Sequence, residues 1–321
     1  MKTASTTIIL ILFCFIFMEL TGQNRWTNIF YSEKSAVGND LGLMYDNGYL
    51  LIGKHGHNAV NYNWLIKTDV NGSNLWEKTV GFDEFRINLK YIDSNSNGDI
   101  FFAGSTNLFD EQKDAVIIKL NACMEKEWCR ILYIPDVSNY ARDIIALEDG
   151  SCIATLYNSE HYKTDHLCLI KLDAEGEFVW YNCLNSQDTS LSYPLAKHIL
   201  STQDNGFLIS GDCYYKDPNP PNLSWIKPYY VKTDSLGNIE WETVIHSDLG
   251  GEAGGTAWST TLDPAGLHYY SSISHYYPGN DIAPTLVKMN LDGSMVGIYD
   301  LNSTNTFGGL SSCVFERNIL G

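Results

Sequence analysis

Short apolar runs separated by polar turns make up most of the chain, and the turns share one form. Five times, a turn that ends in glycine is followed at once by an apolar run, as in DNGYLLIG and DNGFLISG. Such turns are strong hairpin signals, because both central residues must reach positive φ. No stretch keeps the apolar spacing of an amphipathic helix, so the pattern predicts β-hairpins. The turn glycines are Gly48, Gly98, Gly150, Gly206 and Gly266.

A second feature recurs with the hairpins: an apolar strand that ends in lysine, with tryptophan nine residues further on. The lysine strand occurs five times at intervals of a little over fifty residues, and the tryptophan follows it in the first four. Only 8 of the 321 residues are tryptophan, so four occurrences at one offset indicate a structural repeat. The repeat tryptophans are Trp76, Trp128, Trp180 and Trp241.

Each repeat contains four short strands. A second turn separates the lysine strand from the tryptophan strand, and a further apolar segment precedes the first turn. Four antiparallel strands in such a unit are typical of a propeller blade, whereas ankyrin, TPR and HEAT units are helical. The sequence therefore predicts an all-β fold, a β-propeller of five complete four-stranded antiparallel blades. The predicted blades cover residues 33–81, 85–133, 138–185, 191–246 and 254–301.

Both ends of the predicted propeller domain, residues 23–321, look like parts of further blades. Residues 23–32 resemble a last strand that closes the ring, and residues 307–321 resemble the first strand of a truncated blade. A closing N-terminal strand pairs a sheet edge that would otherwise stay open. We therefore expect an incomplete ring here and a natural protein of six or more blades.

These repeats resemble a known class of proteins. The segments GYLLIG and WLIKTDVNGSNLWEKT resemble secreted bacterial β-propeller repeats of the seven-bladed type, which often occur with C-terminal sorting domains. A looser similarity is to quinoprotein repeats, in which the tryptophan helps adjacent blades to dock. The resemblance implies packing roles for the repeat tryptophans. The fifth repeat departs from the pattern, with Gly297 at the tryptophan position.

The N-terminus has the form of a secretory signal peptide, residues 1–22. Lys2 gives a positive start, Ile8 to Met18 form an apolar run, and residues 20–22 supply the exit. The run is too short to span a bilayer as a helix. We expect the mature chain to be secreted or at the cell surface, with the periplasm as the alternative and with no membrane insertion.

Charge and cysteine content limit the partners and the covalent structure. The 21 Lys and Arg against 38 Asp and Glu give a formal net charge of −17, and no local basic cluster offsets it. Nucleic acid is therefore not expected as a partner. Export permits disulfides. Cys152 and Cys168 fall on neighbouring strands of one predicted blade and could pair, although buried free thiols are an equally good interpretation.

The loops between the second and third strands of each blade are the expected ligand surface, because loops on a rigid scaffold commonly carry binding residues. Exposed aromatic residues on these loops suit sugar rings or peptides, although they could simply cover blade edges. The ligand-surface candidates are Tyr214, Tyr215, Trp225, Tyr276, Tyr277, His55 and His57.

Metal sites are weak candidates. His55 and His57 could contribute two ligands, but zinc sites normally need three or four clustered ligands, so solvated histidines are favoured. The loop from Asp93 begins like an EF-hand calcium loop, yet Gly104 stands where the bidentate Glu belongs. No cofactor is expected. The calcium candidates are Asp93, Asn95, Asn97 and Asp99.

No catalytic motif such as G-x-S-x-G or H-E-x-x-H occurs, so no catalytic residue is assigned. Export, repeats and aromatic loops favour a secreted non-enzymatic propeller, a binding or adhesion scaffold for carbohydrate or protein ligands. The alternative is a secreted glycan-active hydrolase or lyase with carboxylates at the channel mouth. In a glycosidase these would be a pair roughly 5–9.5 Å apart.

Overall fold

The computed structural model contains five four-stranded antiparallel sheets, which confirms the predicted all-β propeller fold. It describes residues 27–30, 36–57, 60–80, 87–107, 112–160, 165–216, 224–245, 254–276 and 282–301. These ranges contain no helix, and hence none that could cross a membrane. The predicted signal peptide and residues 307–321 lie outside them.

Twenty strands form the five blades, and one of them, which starts at Val137, begins one residue before its predicted blade range. Blade 1 consists of β1 (Ala36–Leu43), β2 (Tyr49–His57), β3 (Val60–Thr68) and β4 (Asn74–Val80). Blade 2 consists of β5 (Asn88–Ser94), β6 (Ile100–Thr106), β7 (Asp114–Leu120) and β8 (Lys126–Leu132). Blade 3 consists of β9 (Val137–Ala146), β10 (Cys152–Glu160), β11 (Asp165–Leu172) and β12 (Phe178–Cys183). Blade 4 consists of β13 (Leu191–Ser201), β14 (Phe207–Lys216), β15 (Ser224–Thr233) and β16 (Ile239–Val244). Blade 5 consists of β17 (Gly254–Leu262), β18 (His268–Tyr276), β19 (Ile282–Asn290) and β20 (Met295–Asp300).

Within every blade the strands pair in chain order, with the first strand innermost and the fourth outermost. The innermost strands pack against one another in the order β1, β5, β9, β13 and β17, around the central channel. Four apolar cores fill the spaces between adjacent blades. Most of the buried apolar side chains therefore join two blades, which explains why a single repeat could not fold alone.

The first hairpin turn of each blade differs from the prediction in one respect, because one residue rather than two has positive φ. In blade 1, the amide of Asn47 donates to the Met44 carbonyl and the amide of Met44 donates to the Gly48 carbonyl. These bonds define a type I turn followed by one left-handed residue, which glycine and asparagine tolerate. Gly48 and Gly206 come one position later. The left-handed residues are Asn47 (φ 59°), Gly98 (91°), Gly150 (82°), Asn205 (64°) and Gly266 (70°).

The repeat lysines of three blades are buried and form ion pairs with the first turn of their own blade. The pairs are Lys67 with Asp46 at 2.8 Å, Lys119 with Asp99 at 3.3 Å, and Lys232 with Asp204 at 2.8 Å. Although burial opposes it, hydrogen bonding to Lys232 holds the pKa of Asp204 down to about 2. The lysine and the turn acid therefore recur together because the buried ammonium needs a carboxylate partner.

Repeat tryptophans lie between adjacent blades, against the second turn of the following blade. Trp128 donates from Nε1 to the carbonyl of Ala174 at 2.9 Å. A Cβ on Gly176 would come within 2.6 Å of the Trp128 ring, so this turn can approach the ring closely only because it carries glycine. The same close approach joins Trp180 to Gly237 and Trp241 to Gly293.

The N-terminal segment 27–30 contacts blade 1 as an outermost strand contacts the blade after it. Asn28 Nδ2 donates to the Gly72 carbonyl at 2.6 Å, as Asn182 Nδ2 does to Gly237 at 2.9 Å and Arg130 Nε to Gly176 at 2.7 Å. All three donors stand two residues after a tryptophan. Residues 27–30 themselves form no strand, so the closing role of residues 23–32 stays a prediction.

One disulfide lies in blade 3 and joins Cys168 to Cys183, so the predicted pairing of Cys152 with Cys168 is wrong. Cys168 and Cys183 stand directly opposite each other on β11 and β12. Cys152 stands opposite Leu172, four positions from Cys168 along β11, and is therefore out of reach. Cys152 is a buried free thiol, as the alternative interpretation held.

Three aspartates connect innermost strands of neighbouring blades by accepting backbone amide hydrogen bonds. Burial raises the pKa of all three carboxyls, to about 6 in the case of Asp93. The bonds run from Ile92 N to Asp40 (2.9 Å), from Ala146 N to Asp93 (2.8 Å) and from Ile199 N to Asp143 (2.8 Å). These acids hold the inner ring together and are committed to structure.

The raised pKa of Asp93 predicts a pH dependence of stability. Folding raises this pKa from its ordinary 3.8 to about 6, so the carboxyl stabilises the folded state below about pH 4, and this contribution is lost as the pH rises to about 6. Asp93→Asn should therefore reduce the fall in the free energy of unfolding between pH 4 and 6 by about 2–3 kcal/mol. Urea unfolding at several pH values measures this. An unchanged pH profile in the variant would show that Asp93 titrates normally.

Candidate functional site

Every innermost strand carries a one-residue β-bulge at the same point of the repeat, where its pairing with the second strand skips one residue. A bulge changes the direction of the extra residue's side chain and is frequent beside active sites. The bulged residues are Asn39, Lys90, Arg142, Lys197 and Trp258. Basic or aromatic side chains from four blades are thus presented at one level of the channel.

Five cations converge there although the chain is strongly acidic. Burial lowers the pKa of Lys90, and the positive charges of the other four lower it further. Burial also lowers the pKa of Lys54, with a further contribution from Lys113. The expectation that no basic cluster offsets the negative charge is wrong, because blade packing joins residues that are distant in the sequence. We call Lys54, Lys90, Lys113, Arg142 and Lys197 the basic cluster.

A cavity of about 170 Å³ opens at the basic cluster, between blades 2 and 3. Ser105 and Lys113 in its wall flank the loop between β6 and β7, so the cavity lies on the loop-rich face where ligands were expected. We call it the basic cavity. Its wall consists of Asn88, Lys90, Tyr91, Gly104, Ser105, Lys113, Tyr140, Ala141 and Arg142.

Two stacked tyrosines position Arg142 in this wall. The rings of Tyr140 and Tyr157 are 5.5 Å apart and nearly parallel, at 8°. The Arg142 guanidinium carbon lies 5.4 Å from the centre of the Tyr140 ring and 5.5 Å from that of Tyr157. Lys113 Nζ also lies 5.2 Å from the Tyr140 ring. Cation–π contacts of this kind favour a cation over the ring face. The guanidinium is therefore held in place before any ligand arrives.

Two buried polar atoms of the cavity wall have no hydrogen-bond partner among the described residues: Arg142 Nε, a donor, and Asn88 Oδ1, an acceptor. Leaving such atoms unpaired inside a protein costs free energy. A ligand that offered an acceptor to Arg142 and a donor to Asn88 would remove that cost. The pattern suits an anionic group that also bears hydroxyls.

Carboxylates are absent from the described wall of the basic cavity, so the pair expected for a glycosidase is not found there. Within the basic cluster, Lys197 Nζ lies 3.4 Å from Asp212 and 5.1 Å from the ring centre of Trp258. The wall offers cations, phenols, one amide and the hydroxyl of Ser105. Chemically, it can bind an anion and transfer a proton.

The predicted ligand-surface residues are only partly described. Tyr214 is 44% exposed on β14, and its ring meets that of Tyr193 edge-on at 5.9 Å. Tyr215 is half-buried on the same strand. His55 Nε2 lies 2.8 Å from Thr79 Oγ1. The side chains of His57, Trp225 and Tyr276, and the whole of Tyr277, lie outside the described residues.

The calcium candidates bind protein groups. Asn95 Oδ1 accepts the amides of Asn97 and Asp99, and Asp99 pairs with Lys119. Asp93 accepts the Ala146 amide. Within the described ranges, no three His, Cys, Asp or Glu side chains cluster as metal ligands would. Calcium binding stays a prediction. The side-chain oxygens of Asp93, Asn95 and Asp99 already bind protein groups.

Sequence reasoning missed all five bulged residues. The glycine that ends the apolar run of the second strand could have indicated the bulges. Glycine inside a strand often marks a point where another backbone comes close. A Cβ at Gly53, Gly104 or Gly211 would lie 2.5 Å or less from a carbonyl oxygen of the innermost strand. These glycines face the bulges.

Comparisons with known proteins support the fold. No protein-family model and no curated protein matches the chain. The GH93 α-L-arabinofuranosidase of Fusarium graminearum is similar in structure, with 12% identity and a TM-score of 0.58 over 86% of this chain and 83% of that one. The α-L-arabinanase of Penicillium chrysogenum has 11% identity and a TM-score of 0.50 over 80% of each chain. A PL25 polysaccharide lyase, an ulvan lyase, has 11% identity and a TM-score of 0.51 over 86% and 73%.

The preference for a non-enzymatic scaffold is wrong on these comparisons. These structural neighbours are propeller enzymes that cleave glycans, and they support the alternative, a glycan-active hydrolase or lyase. At such low identity each likeness concerns the fold, so the residues of this chain must decide the chemistry. The sequence resembles secreted bacterial propeller repeats, and the structure supports the part of this resemblance that concerns the propeller fold.

Proposed function

We propose that this protein is a glycan-cleaving enzyme of the lyase type, which acts on acidic polysaccharides in the basic cavity. The observation that carries the proposal is the basic cluster, which includes the unpaired Nε of Arg142, in a chain of net charge −17. Cations gathered at one point of an acidic protein attract anionic ligands to that point. Sugars with carboxylate groups match both the charge and the hydroxyl-binding amide of Asn88.

A lyase reaction fits the groups in the wall. Arg142 would bind the sugar carboxylate, which makes the hydrogen on the neighbouring carbon more acidic. Lys90, whose pKa is lowered by burial and by its four cationic neighbours, can remove that proton. The electron pair forms a carbon–carbon double bond and breaks the bond to the glycosidic oxygen. Tyr91, whose pKa is raised by burial, remains protonated and donates to that oxygen.

The expected location of the protein agrees with a polysaccharide substrate. The predicted signal peptide would export the protein to where polysaccharides occur, and the loop-rich face would meet the polymer. The structural neighbours named for arabinan-type sugars and for ulvan support glycan cleavage as a use of this fold. Elimination is favoured over hydrolysis because the described wall carries no carboxylate pair.

A panel of polymers tests the proposal. Polygalacturonate, alginate, chondroitin sulfate and neutral arabinan are incubated with the purified protein, and both new reducing ends and the ultraviolet absorbance of unsaturated products are recorded. We expect at least one acidic polymer to give both signals in equal amount, and arabinan to give neither. Reducing ends without ultraviolet absorbance would show hydrolysis and overturn the lyase chemistry. Cleavage of arabinan alone would overturn the acidic substrate.

A further inference from the structure

A second cavity, of about 490 Å³, lies between blades 3 and 4 on the same loop-rich face. Its volume is in the range of small-molecule binding sites. It is lined by residues 184–186 after β12, by the start of β13 and the end of β14, and by one residue each of β11 and β15. It shares no lining residue with the basic cavity. We call it the tyrosine cleft. Its wall includes Leu184, Ser186, Tyr193, Tyr214, Lys216 and Tyr229.

Tyr193 has an unusual backbone conformation in this cleft. Its φ is 53°, a region that aromatic residues rarely adopt, and it precedes Pro194. It stands in a second bulge of β13, where the pairing with β14 skips from Ser192 to Leu195. This bulge has no equivalent in the innermost strand of the other four blades. Strained residues that persist in a fold cluster at binding sites, so the conformation points to a binding role.

The bulge brings Tyr193 against Tyr214. The two rings meet edge-on at 84°, and the residues are 47% and 44% exposed. One ring thus supports the other while both keep surface available to a ligand. Rigid aromatic faces with little conformational entropy to lose are well suited to the apolar face of a sugar ring. At the polar edge of the cleft, Lys216 is exposed and Ser186 Oγ is hydrogen-bonded to Glu242 at 2.8 Å.

Blade 3 connects the tyrosine cleft to the basic cavity. Strand pairing aligns Tyr140 with Tyr157 and Tyr157 with Leu167, and Leu184 N donates to the Leu167 carbonyl at 2.8 Å. Tyr140 lines the basic cavity and Leu184 lines one wall of the tyrosine cleft, so these two residues lie at opposite ends of one row across the blade. Three strand spacings separate the ends, which is roughly 14 Å. A sugar chain that reaches from one end of this row to the other is longer than a disaccharide.

We infer that the tyrosine cleft is a second sugar-binding site, which stacks a more distant unit of the same acidic polysaccharide whose cleavage the basic cavity performs. The inference rests on the proposed function for the identity of the chain, and on Tyr193 and Tyr214 for the mode of binding. The protein therefore recognises oligosaccharides longer than a disaccharide, and its affinity increases with their length.

Titration calorimetry with defined oligosaccharides tests this. The probes are the disaccharides and hexasaccharides of galacturonate, alginate and chondroitin sulfate. We expect at least one hexasaccharide to bind, and Tyr193→Gly to weaken that binding about three- to tenfold. Glycine tolerates the positive φ, so this variant should fold as well as the wild type. Tyr214→Ala should have a similar effect, while Tyr299→Ala, a change at an exposed tyrosine of β20, should have none.

The proposed function and this inference fail in different ways. If a hexasaccharide bound in a way that depends on Tyr193 but was not cleaved, the result would support sugar binding in the tyrosine cleft and overturn the proposed enzymatic activity. Cleavage with a KM for hexasaccharide that is unchanged in both tyrosine variants would leave the enzyme in place and overturn the cleft. No binding of any hexasaccharide would overturn the cleft outright. With active protein, the variants should raise KM for hexasaccharide and leave kcat and disaccharide binding unchanged.

Discussion

Arg142→Ala should lower kcat/KM on an acidic polysaccharide by about a hundredfold or more. The guanidinium is the only cation in the described cavity wall with a planar, fixed set of donors, and it is held over Tyr140 and Tyr157. Removal of a preorganised donor from a buried site typically costs this much, because the charge that forms in the transition state is then left without its partner. Initial rates at several substrate concentrations measure the loss.

Two variants separate the charge of Arg142 from its shape. Arg142→Lys keeps a positive charge but lacks the planar guanidinium, so it should recover only part of the activity. Lys126→Ala removes an exposed lysine at the start of the outermost strand β8 and serves as the control for net charge. Equal activity in Arg142→Ala and Lys126→Ala, with unchanged melting temperatures, would show that the basic cavity is not the active site.

Trp128→Ala should lower the free energy of unfolding by about 3–5 kcal/mol, the usual loss for a large aromatic residue in a core. Trp128 is 8% exposed, lies 5.9 Å from the ring of Phe101, and bonds to the carbonyl of Ala174 in the next blade. Its removal opens a cavity between blades 2 and 3 and leaves that carbonyl without this donor. Denaturant unfolding followed by circular dichroism measures the change.

Trp76→Ala provides the matched comparison. Trp76 occupies the same repeat position but is only half-buried, and Met124 replaces glycine in the turn that follows. We therefore expect a smaller loss of stability than in Trp128→Ala. Equal losses in the two variants would mean that burial against the glycine turn does not determine how tightly the blades dock.

Most of the fold could be predicted because the repeats carry local signals. The turns around Asn47 and Gly98 and the lysine and tryptophan strands recur in order, and each signal involves residues close together in the chain. The turn prediction failed only in detail, because a type I turn followed by one left-handed residue replaces the type I′ turn, which needs two. The predicted disulfide pairing was wrong for a related reason. The strand register, which could not be read from the sequence, places Cys183 rather than Cys152 opposite Cys168.

The site could not be predicted because its residues come from different blades. More than fifty residues of the sequence separate Lys90 from Arg142, and Arg142 from Lys197. None of the three belongs to a motif. They meet only because a bulge in each innermost strand turns them towards one channel. The net charge of −17 gave no indication of this cluster, because a net charge sums all charged residues and does not show where they lie on the surface. Of the predicted ligand-surface residues, Tyr214 lies in the tyrosine cleft, but its partner Tyr193 depends on a second bulge.

A crystal structure of the protein with a bound uronate oligosaccharide, with Lys90→Arg used to slow turnover, examines the basic cavity directly. Lys90→Arg places a permanent positive charge at this position and cannot act as a base at ordinary pH. We expect a sugar carboxylate oxygen within about 3 Å of Arg142 Nε, with a hydroxyl beside Asn88 Oδ1. An oligosaccharide bound elsewhere, with Arg142 Nε still unpaired, would contradict a lyase site between blades 2 and 3.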